Sequence, residues 1–305
     1  MRALVTGGAG FIGSNLADAL LARGDDVEVI DDLSTGRQSN VRDGAILHEA
    51  DLRDAERIAE VVTAARPEVI FHLGAQIDVR RAVSDPTVDA RINIEGTVSV
   101  LEAARAAGVR RVVNSSTGGA IYGDTDRIPT GEETVPAPMA PYGQSKHAAE
   151  GYCALYTRLH GLSTISLRYA NVYGPRQDPH GEGGVIAIFC GKLVEGGRPK
   201  IFGAGTQTRD YVFVADVVAA NLAAAEAEET SPCNVGTGVE TSLLELVEIL
   251  RELGDGRPFE PEFAPARLGE IERSAIDPSR ARERLGWAPR VALADGLRQT
   301  LATLS

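Results

Sequence analysis

The chain has 305 residues, of which 43% are hydrophobic, enough to fill a substantial core, so intrinsic disorder is not expected. Its 43 acidic and 31 basic residues give a formal net charge of -12, and no Lys/Arg cluster offsets it, which argues against nucleic-acid binding. Cys153, Cys190 and Cys233 lack CxxC spacing, and no apolar run is long enough to span a membrane. We therefore expect a cytoplasmic protein with no disulfide, zinc or other metal site and no membrane partner.

Short apolar segments alternate with helical patterns through the first half of the chain. The apolar segments are short enough for strands buried on both faces, and they cover residues 2–6, 26–31, 69–74, 110–116 and 163–170. Helical patterns between them cover residues 13–23, 54–65 and 87–107. This alternation predicts an α/β fold, a Rossmann-type doubly wound parallel sheet.

The pattern loosens after about Pro175 into charged segments rich in glycine and proline, with a helix predicted over 242–253. We therefore predict a Rossmann domain at residues 1–175 and a smaller C-terminal α/β domain at residues 176–305. A helix at about 215–228 is expected to pack back on the sheet.

The segment "VTGGAGFIG" follows the first strand and opens a helix, with Gly7, Gly10 and Gly13 at GxxGxxG spacing. Residues without a β-carbon let the backbone approach a pyrophosphate, whose charge then meets the amides of the helix N-terminus. Asp31 ends the second strand eighteen residues after Gly13. A carboxylate there accepts both ribose hydroxyls but repels a 2′-phosphate, so the segment predicts NAD rather than NADP. A purely structural turn with a capping Asp31 is the alternative.

Further polar or small residues follow the next strands. Asp51 can accept from the adenine amino group or cap the following helix. "FHLGAQ", which ends at Gln76, brings small residues to a strand end, where a cofactor can lie close to the backbone. Asn93 is a poor helix former inside a helical pattern, so its side chain is a candidate to bond a nearby loop.

Several motifs occur in order along almost the whole chain: "TGGAGFIG", "DDLSTG", "FHLGA", "NSSTGGAIYG", "PYGQSK", "LRYANVYGPRQ", "RDYVFVADV" and "DPSRARERLGWAP". Together they resemble the extended short-chain dehydrogenase/reductase family. Within that family, "DDLSTG" and "SSTGGAIYG" are most similar to the epimerases that invert C4 of UDP-glucose and UDP-galactose. The resemblance implies tightly held NAD, a smaller nucleotide-sugar domain and a catalytic Ser/Thr, Tyr and Lys.

The cofactor site follows from the glycine turn, the strand ends and the resemblance. Its predicted members are Gly7, Gly10, Phe11, Ile12, Gly13, Asp31, Asp32, Ser34, Thr35, Gly36, Asp51, Leu52, Leu73, Gly74, Ala75, Gln76, Asn93, Ser115, Tyr142, Lys146 and Tyr169.

The motif "PYGQSK" places Tyr142 and Lys146 one helical turn apart on one face. An ordinary tyrosine, with a pKa near 10, is too weak a base at neutral pH. The Lys146 ammonium and the positive nicotinamide ring both favour the phenolate, so we expect Tyr142 to be the base. Lys146 is expected to tune it and to hold the nicotinamide ribose.

The catalytic hydroxyl of the family usually lies four residues before the tyrosine that closes "NSSTGGAIYG". That position, four before Tyr122, is Gly118, because this chain has one extra glycine. We therefore assign the role to Thr117, with Ser116 as the nearer alternative and Ser115 behind it.

The resemblance implies NAD-dependent 4-epimerisation of a UDP-sugar through a transient 4-keto sugar. A 4,6-dehydratase needs an acid–base pair after the hydroxyl residue, where this chain has Gly118 and Gly119, and a decarboxylase usually carries a glutamate in this turn, which is absent. Two alternatives stay open: a 4-epimerase of another nucleotide sugar such as UDP-glucuronate, and a non-catalytic NAD-binding sensor.

The resemblance also implies the substrate-side residues. They are Thr117, Tyr142, Asn171, Val185, Phe189, Lys200, Ile201, Phe202, Arg209, Arg267, Glu270 and Ser274. Asn171 and the two arginines are expected to bind the diphosphate, although surface ion pairs are the alternative for the arginines. The resemblance implies that the segment from Lys200 to Phe202 lines the uracil ring and that Glu270 bonds the nucleotide ribose. Val185 and Phe189 either contact the base or only pack a helix. Ser274 stands where some relatives have a bulky tyrosine, so we expect room for a 2-acetamido group. A homodimer is expected through the helix at 87–107 and the helix that begins at Tyr142.

Overall fold

The computed structural model describes residues 1–179, 184–254, 256–266 and 271–304. Its strands are β1 (Arg2–Thr6), β2 (Asp26–Asp31), β3 (Ala45–Glu49), β4 (Val69–His72), β5 (Arg111–Thr117), β6 (Ser163–Tyr169), β7 (Asn171–Tyr173), β8 (Lys200–Phe202), β9 (Thr208–Arg209), β10 (Tyr211–Phe213), β11 (Cys233–Val235), β12 (Thr241–Ser242) and β13 (Glu262–Ala264).

Its α-helices are α1 (Phe11–Ala22), α2 (Ala55–Ala65), α3 (Val79–Ser84), α4 (Pro86–Ala90), α5 (Gly96–Ala106), α6 (Gly118–Ile121), α7 (Pro141–His160), α8 (Val185–Glu195), α9 (Val214–Glu226), α10 (Leu243–Leu253), α11 (Ser279–Leu285) and α12 (Leu293–Ala302). A short 3-10 helix covers Gln38–Asn40, and a π-helical segment, Arg91–Glu95, joins α4 to α5.

A seven-stranded parallel sheet forms the centre of the molecule, in the order β11-β6-β5-β4-β1-β2-β3. This order confirms the predicted Rossmann-type fold. The strand order reverses between β1 and β4, and the crevice beyond the carboxyl ends of those strands is where ligands bind in open α/β sheets. The predicted glycine turn therefore lies at this crevice.

Apolar helix faces cover the sheet on both sides. Leu16 and Leu20 of α1 and Val217 of α9 belong to one buried cluster, while Val61 of α2 and Leu101 of α5 belong to another. Strands β4 and β5 are buried along their whole length, as expected for inner strands of a parallel sheet that helices cover on both faces. The two clusters hold the sheet between its helices, and the site lies at the carboxyl ends of the strands.

The structure refines the predicted helices. The pattern at 87–107 is one helical stretch interrupted by the π-helical segment around Asn93, rather than a regular α-helix. The helix predicted at 215–228 is α9, which packs against α1, β5 and β6. Strand β11, from residues 233–235, joins the central sheet, so the division at residue 175 stays a prediction.

The C-terminal elements form a third buried cluster, in which α8, α10 and α12 pack around Phe189, Phe259 and Leu250. Short strand pairs form apart from the central sheet, β7 with β10, β8 with β13 and β9 with β12, and β7 follows β6 directly in the chain. Among the described residues, the helices are all too short or too polar to cross a membrane. The three cysteines are buried and unpaired.

Candidate active site

The glycine turn after β1 is built for close approach. Gly7 has φ +67°, and a β-carbon there would lie 2.7 Å from the amide nitrogen of Gly74. A β-carbon on Gly13 would lie 2.1 Å from the carbonyl oxygen of Gly7. Gly10 begins α1 without a side-chain cap, which leaves the first helical amides available to a pyrophosphate. The turn therefore fits a dinucleotide.

Asp31 lies at the carboxyl end of β2, beside this turn. Its carboxylate accepts from the amides of Ala9 and Leu33, each at 2.9 Å, and burial raises its pKa. A β-carbon on Gly36 would lie 2.6 Å from Asp31 Oδ1, so the "STG" loop also closes on this carboxylate. Each carboxylate oxygen accepts more than one hydrogen bond, so acceptor capacity remains for ribose hydroxyls.

The loop after β2 and the turn after β3 carry further predicted cofactor residues. The Ser34 amide and hydroxyl both donate to Asp32 Oδ1, at 2.9 and 2.6 Å. Thr35 is exposed on the same loop. Leu52 is buried against Gly74, where a β-carbon would lie 2.9 Å from a Leu52 methyl group. The cofactor contacts predicted for these residues stay predictions.

Asp51 does not cap the following helix. Asp54 is the N-cap of α2 and accepts from the Arg57 amide, whereas Asp51 accepts from the Arg53 amide and pairs with its guanidinium. This pairing lowers the pKa of Asp51. The adenine contact predicted for Asp51 stays a prediction.

The proposed catalytic group lies where β5 ends against α7. Thr117 ends β5, and its hydroxyl is close enough to the phenol of half-buried Tyr142 to lower the pKa of that phenol in part. Lys146 follows one turn along α7 and is 4% exposed. The Ser116 hydroxyl, 4% exposed, has no hydrogen-bond partner among the described residues. This interaction with Tyr142 favours Thr117 over Ser116 and Ser115 as the hydroxyl partner.

The protein's own groups do not lower the pKa of Tyr142. Burial, with a contribution from the Asp89 carboxylate, raises the pKa of Tyr142 to about 12, and the Thr117 hydroxyl offsets this rise only in part. Burial lowers the pKa of Lys146 to about 8. The expectation that Lys146 draws the Tyr142 pKa toward neutrality is therefore not met by these residues alone, because burial outweighs charge here.

A buried histidine connects the glycine crevice to the π-helical segment. Thr97 donates its hydroxyl proton to the Asn93 carbonyl at 2.7 Å, so it must accept from His72 Nε2 at 3.0 Å. His72 Nδ1 then accepts from the Thr6 hydroxyl at 2.8 Å, and Thr6 in turn accepts from the Gly74 amide. Burial lowers the pKa of His72 to about 3, which keeps the ring neutral. This series of hydrogen bonds fixes the end of β4.

The Asn93 side chain bonds a nearby loop, as its position in a helical pattern suggested. Its Oδ1 accepts from the Gln76 amide at 2.8 Å, and its Nδ2 donates to the Gln76 carbonyl at 2.9 Å. Asp89 and Ser145 also contact Asn93 Nδ2, each at 3.1 Å. Sequence reasoning missed Asp89 and Ser145, although Asp89 lies four residues before Asn93, on the same helical face.

Tyr169, predicted to touch the cofactor, is 5% exposed at the end of β6. Its hydroxyl donates to Asn221 Oδ1 on α9 at 3.0 Å, and burial raises its pKa. The cofactor contact of Tyr169 stays a prediction.

The glycines after Thr117 lie between β5 and two residues from later in the chain, Ile276 and Asn171. A β-carbon on Gly118 would lie 2.6 Å from the Ile276 side chain, so this position has no space for a larger residue. At Gly119 a β-carbon would lie 3.5 Å from Asn171 Oδ1, an ordinary contact. The exposed Asn171 side chain, a predicted diphosphate ligand, therefore lies beside the catalytic turn.

Arg209 lies next to a buried anchor. Its guanidinium donates to the Thr208 carbonyl at 2.7 Å. The neighbouring Asp210, 1% exposed, accepts from the Thr237 amide and hydroxyl and from the Gly238 and Ile276 amides. This carboxylate fixes the segment on which Arg209 stands.

The structure separates the predicted base-binding residues by burial. Phe189, 1% exposed, packs edge-on against Phe259 with ring centroids 6.5 Å apart, and Ile201 is 0% exposed, so both side chains belong to the core. Val185 is half-buried beside that core. Lys200 is exposed, with its Nζ 5.7 Å from the centre of the half-buried Phe202 ring.

Ser274 is half-buried on a segment bonded on both sides. The Thr208 amide donates to the Glu272 carbonyl at 2.9 Å, and the Thr130 amide donates to the Ala275 carbonyl at 2.8 Å. Arg267 and Glu270, the predicted second arginine and ribose ligand, lie outside the described residues.

Comparisons with known proteins agree with this geometry. The NAD dependent epimerase/dehydratase family matches residues 3–236. A UDP-glucose 4-epimerase of Mycolicibacterium smegmatis is 51% identical over 99% of this chain and 97% of its own length. The match confirms the predicted family resemblance.

Two solved structures are also close. A UDP-glucose 4-epimerase of Thermotoga maritima with UDP-glucose has a TM-score of 0.97 and 44% identity, covering 99% of this chain and 98% of its own. A UDP-glucose 4-epimerase of Thermus thermophilus in complex with NAD has a TM-score of 0.94 and 42% identity, covering 100% of this chain and 99% of its own.

Proposed function

We propose that this chain, which belongs to the NAD-dependent epimerase/dehydratase family, interconverts the C4 epimers of a UDP-sugar, with UDP-glucose and UDP-galactose as the first candidates. NAD would be held as a recycled cofactor, because epimerisation causes no net redox change. The carrying observation is that the Thr117 hydroxyl interacts with the Tyr142 phenol one helical turn from the buried Lys146, at the carboxyl edge of the sheet that also holds the glycine turn. Relatives bound to NAD and to UDP-glucose support the cofactor and the substrate.

The chain's own residues supply proton transfer and orientation. Tyr142 would take the proton of the sugar 4-hydroxyl and later return it, while Thr117 bonds the same oxygen. Lys146 would lie against the nicotinamide ribose, and the glycine turn and Asp31 would hold the pyrophosphate and the adenosine ribose. Bound NAD supplies the reversible two-electron oxidation at C4. Fixing the base and the sugar together is worth about 7 to 11 kcal/mol of barrier.

The purified protein, incubated with a panel of UDP- and dTDP-sugars without added NAD, tests this function. We expect C4 epimers from UDP-glucose or UDP-galactose, resolved by chromatography or NMR. Epimerisation of UDP-glucuronate alone would favour the uronic-acid alternative. Bound NAD with no product from any sugar would favour the non-catalytic sensor.

A Tyr142→Phe variant tests the assigned base on the same panel. The change removes the phenolic oxygen and keeps the ring, so NAD should stay bound while turnover is lost. Turnover that survives in Tyr142→Phe would show that the base is assigned wrongly.

We propose that the same site also accepts UDP-N-acetylglucosamine, because Ser274 is a small, half-buried residue on the segment held by the Glu272 and Ala275 carbonyls. A Ser274→Tyr variant should lose activity on the acetylated sugar selectively, whereas Ser274→Ala should keep both activities. Equal loss on UDP-glucose and UDP-N-acetylglucosamine would count against this proposal.

The remaining assignments are part of the same proposal. The boundary at about residue 175 separates a NAD-binding domain from a smaller nucleotide-sugar domain. A homodimer is supported by exposed apolar residues on α7, and a cytoplasmic location by three buried, unpaired cysteines.

A further inference from the structure

We propose that Asp89 is a positioning residue for the proposed 4-epimerisation, acting through Asn93 and Gln76. This inference rests on the proposed function and concerns a residue that the catalytic scheme above does not use. Asp89 lies on α4 and is 1% exposed, in the layer between the β4 loop and α7.

The Asp89 carboxylate determines how two amide side chains are turned. Its Oδ1 accepts from Gln76 Nε2 at 2.9 Å and from Asn93 Nδ2 at 3.1 Å. An ionised carboxylate only accepts, so both amides must present their NH₂ groups to it. Their oxygens then face the loop: Asn93 Oδ1 accepts from the Gln76 amide at 2.8 Å, and Gln76 Oε1 from the Asp78 amide at 2.6 Å. One buried acid thus orders the loop after β4.

The same amide reaches the catalytic helix. Asn93 Nδ2 also lies 3.1 Å from the Ser145 hydroxyl oxygen, and that hydroxyl donates to the Tyr142 carbonyl at 3.0 Å. The π-helical segment places Asn93 in a buried position between the loop and α7. The path from Asp89 through Asn93 and Ser145 ends on the residue that carries the base.

The charge of Asp89 gives a second link to the site. It raises the pKa of Tyr142 and also raises that of Lys146. The other titratable groups facing this pair are His72 on β4 and Glu150 and Cys153 on α7. Because those groups remain in an Asp89 variant, loss of this charge should move both pKa values downward together.

Two variants separate the acceptor role from the charge. Asp89→Asn keeps an acceptor oxygen in the same place but removes the charge, so maximal kcat should fall less than about fivefold while both limbs of the kcat/KM pH profile shift to lower pH. Asp89→Leu removes the acceptor, so kcat should fall at least about tenfold with little change in KM. Glu95 is an exposed acid on the π-helical segment, so the control variant Glu95→Gln should change neither kcat nor the pH profile.

Thermal unfolding and the fraction of NAD retained on purification show whether each variant folds and loads. A kcat of Asp89→Leu within about twofold of the unsubstituted protein, or an Asp89→Asn profile with unmoved limbs, would overturn the inference. If Asp89→Leu does not fold, the Asp89→Asn profile alone decides. Absence of epimerisation in the unsubstituted protein would contradict the proposed function instead.

Discussion

Thr117 and Ser116 are adjacent hydroxyl residues at the end of β5, and successive side chains of a strand point to opposite faces. Of the two, only Thr117 interacts with the Tyr142 phenol. Thr117→Val keeps the shape and removes the hydroxyl, so we expect kcat to fall by about a hundredfold or more, as for other groups that hold a reacting oxygen.

Ser116→Ala is the matched control, and it should change kcat by less than about threefold, because its hydroxyl bonds no described residue. Steady-state kinetics on UDP-galactose compares the two variants. A larger loss in Ser116→Ala would reverse the assignment.

The buried Lys146 should make the stability of the native protein increase with pH. Burial lowers its pKa from 10.5 to about 8, so between these values the unfolded chain binds more protons and stability rises with pH. Below about pH 8 the cost of burying the ammonium is fully present. Lys146→Met removes this cost, so its advantage in unfolding free energy over the unsubstituted protein should shrink by on the order of 2–3 kcal/mol from about pH 7 to about pH 10.

Urea unfolding of both proteins at the two pH values measures this difference. Taking the difference cancels the tyrosines and cysteines that ionise in both proteins over the same range. A gap between the two proteins that does not change with pH would contradict a buried, charged Lys146.

Residue patterns predicted the glycine turn, Asp31 and the Tyr142–Lys146 pair, because their spacing itself carries the physical signal. Spacing could not choose between Thr117 and Ser116, since the extra glycine shifts the register of the turn. The structure gives the physical reason for that glycine: Gly118 lies against Ile276, a contact across more than 150 residues that spacing cannot reveal.

At the scale of elements, α7 is joined to the sheet by a buried ion pair. Arg168 on β6 makes a bidentate contact with Glu150, at 2.9 and 2.7 Å, and also donates to the Tyr122 hydroxyl at 2.9 Å. Glu150 lies one turn after Lys146 on α7. The pair therefore holds the catalytic helix against the strand beside β5.

Removing one residue of the Arg168–Glu150 ion pair should lower the free energy of unfolding more than removing both. Arg168→Met leaves a buried, unpaired carboxylate and should lower the free energy of unfolding by about 3 to 5 kcal/mol. The double variant Arg168→Met, Glu150→Met should recover most of this loss. Urea unfolding of the two proteins tests it, and a double variant less stable than the single one would contradict it.

The interrupted helix after α4 shows where element prediction stops. Apolar periodicity predicted one helix over 87–107, and it cannot distinguish an α-helix from one with a single π-helical turn. The interruption occurs where Asn93 bonds the Gln76 backbone in both directions, a contact between elements rather than within one. The polar side chain of Asn93 was the only sign of this interruption in the local sequence.

At the scale of the whole molecule, alternating strands and helices predicted the parallel sheet, because buried strands need helices on both faces. The packing of the C-terminal segment at residues 287–291 against α9, which covers that sheet, was less predictable. Asp216 on α9 accepts from the Arg290 and Val291 amides, each at 3.0 Å, and its carbonyl accepts from the Trp287 indole. Such long-range backbone bonds leave no periodic trace in the sequence.

The proposed homodimer rests on the outer face of α7. Tyr152, Leu155 and Leu159 are 38%, 39% and 65% exposed, and their spacing places them on one face of the helix. Large apolar side chains grouped on a surface mark an interaction site. Leu159 is the most exposed of the three, and Leu159→Glu puts a charge on that face, so it should convert a dimer to a monomer, as measured by analytical ultracentrifugation.

Ile46→Glu is the control, because Ile46 is 57% exposed on β3, the strand at one edge of the sheet and apart from α7. It should leave the mass in solution unchanged. The catalytic face of α7 is the buried one, which carries Lys146, so a Leu159→Glu monomer should keep its NAD and most of its kcat. Dimerisation that survives Leu159→Glu but is lost in Ile46→Glu would place the interface on the sheet edge instead.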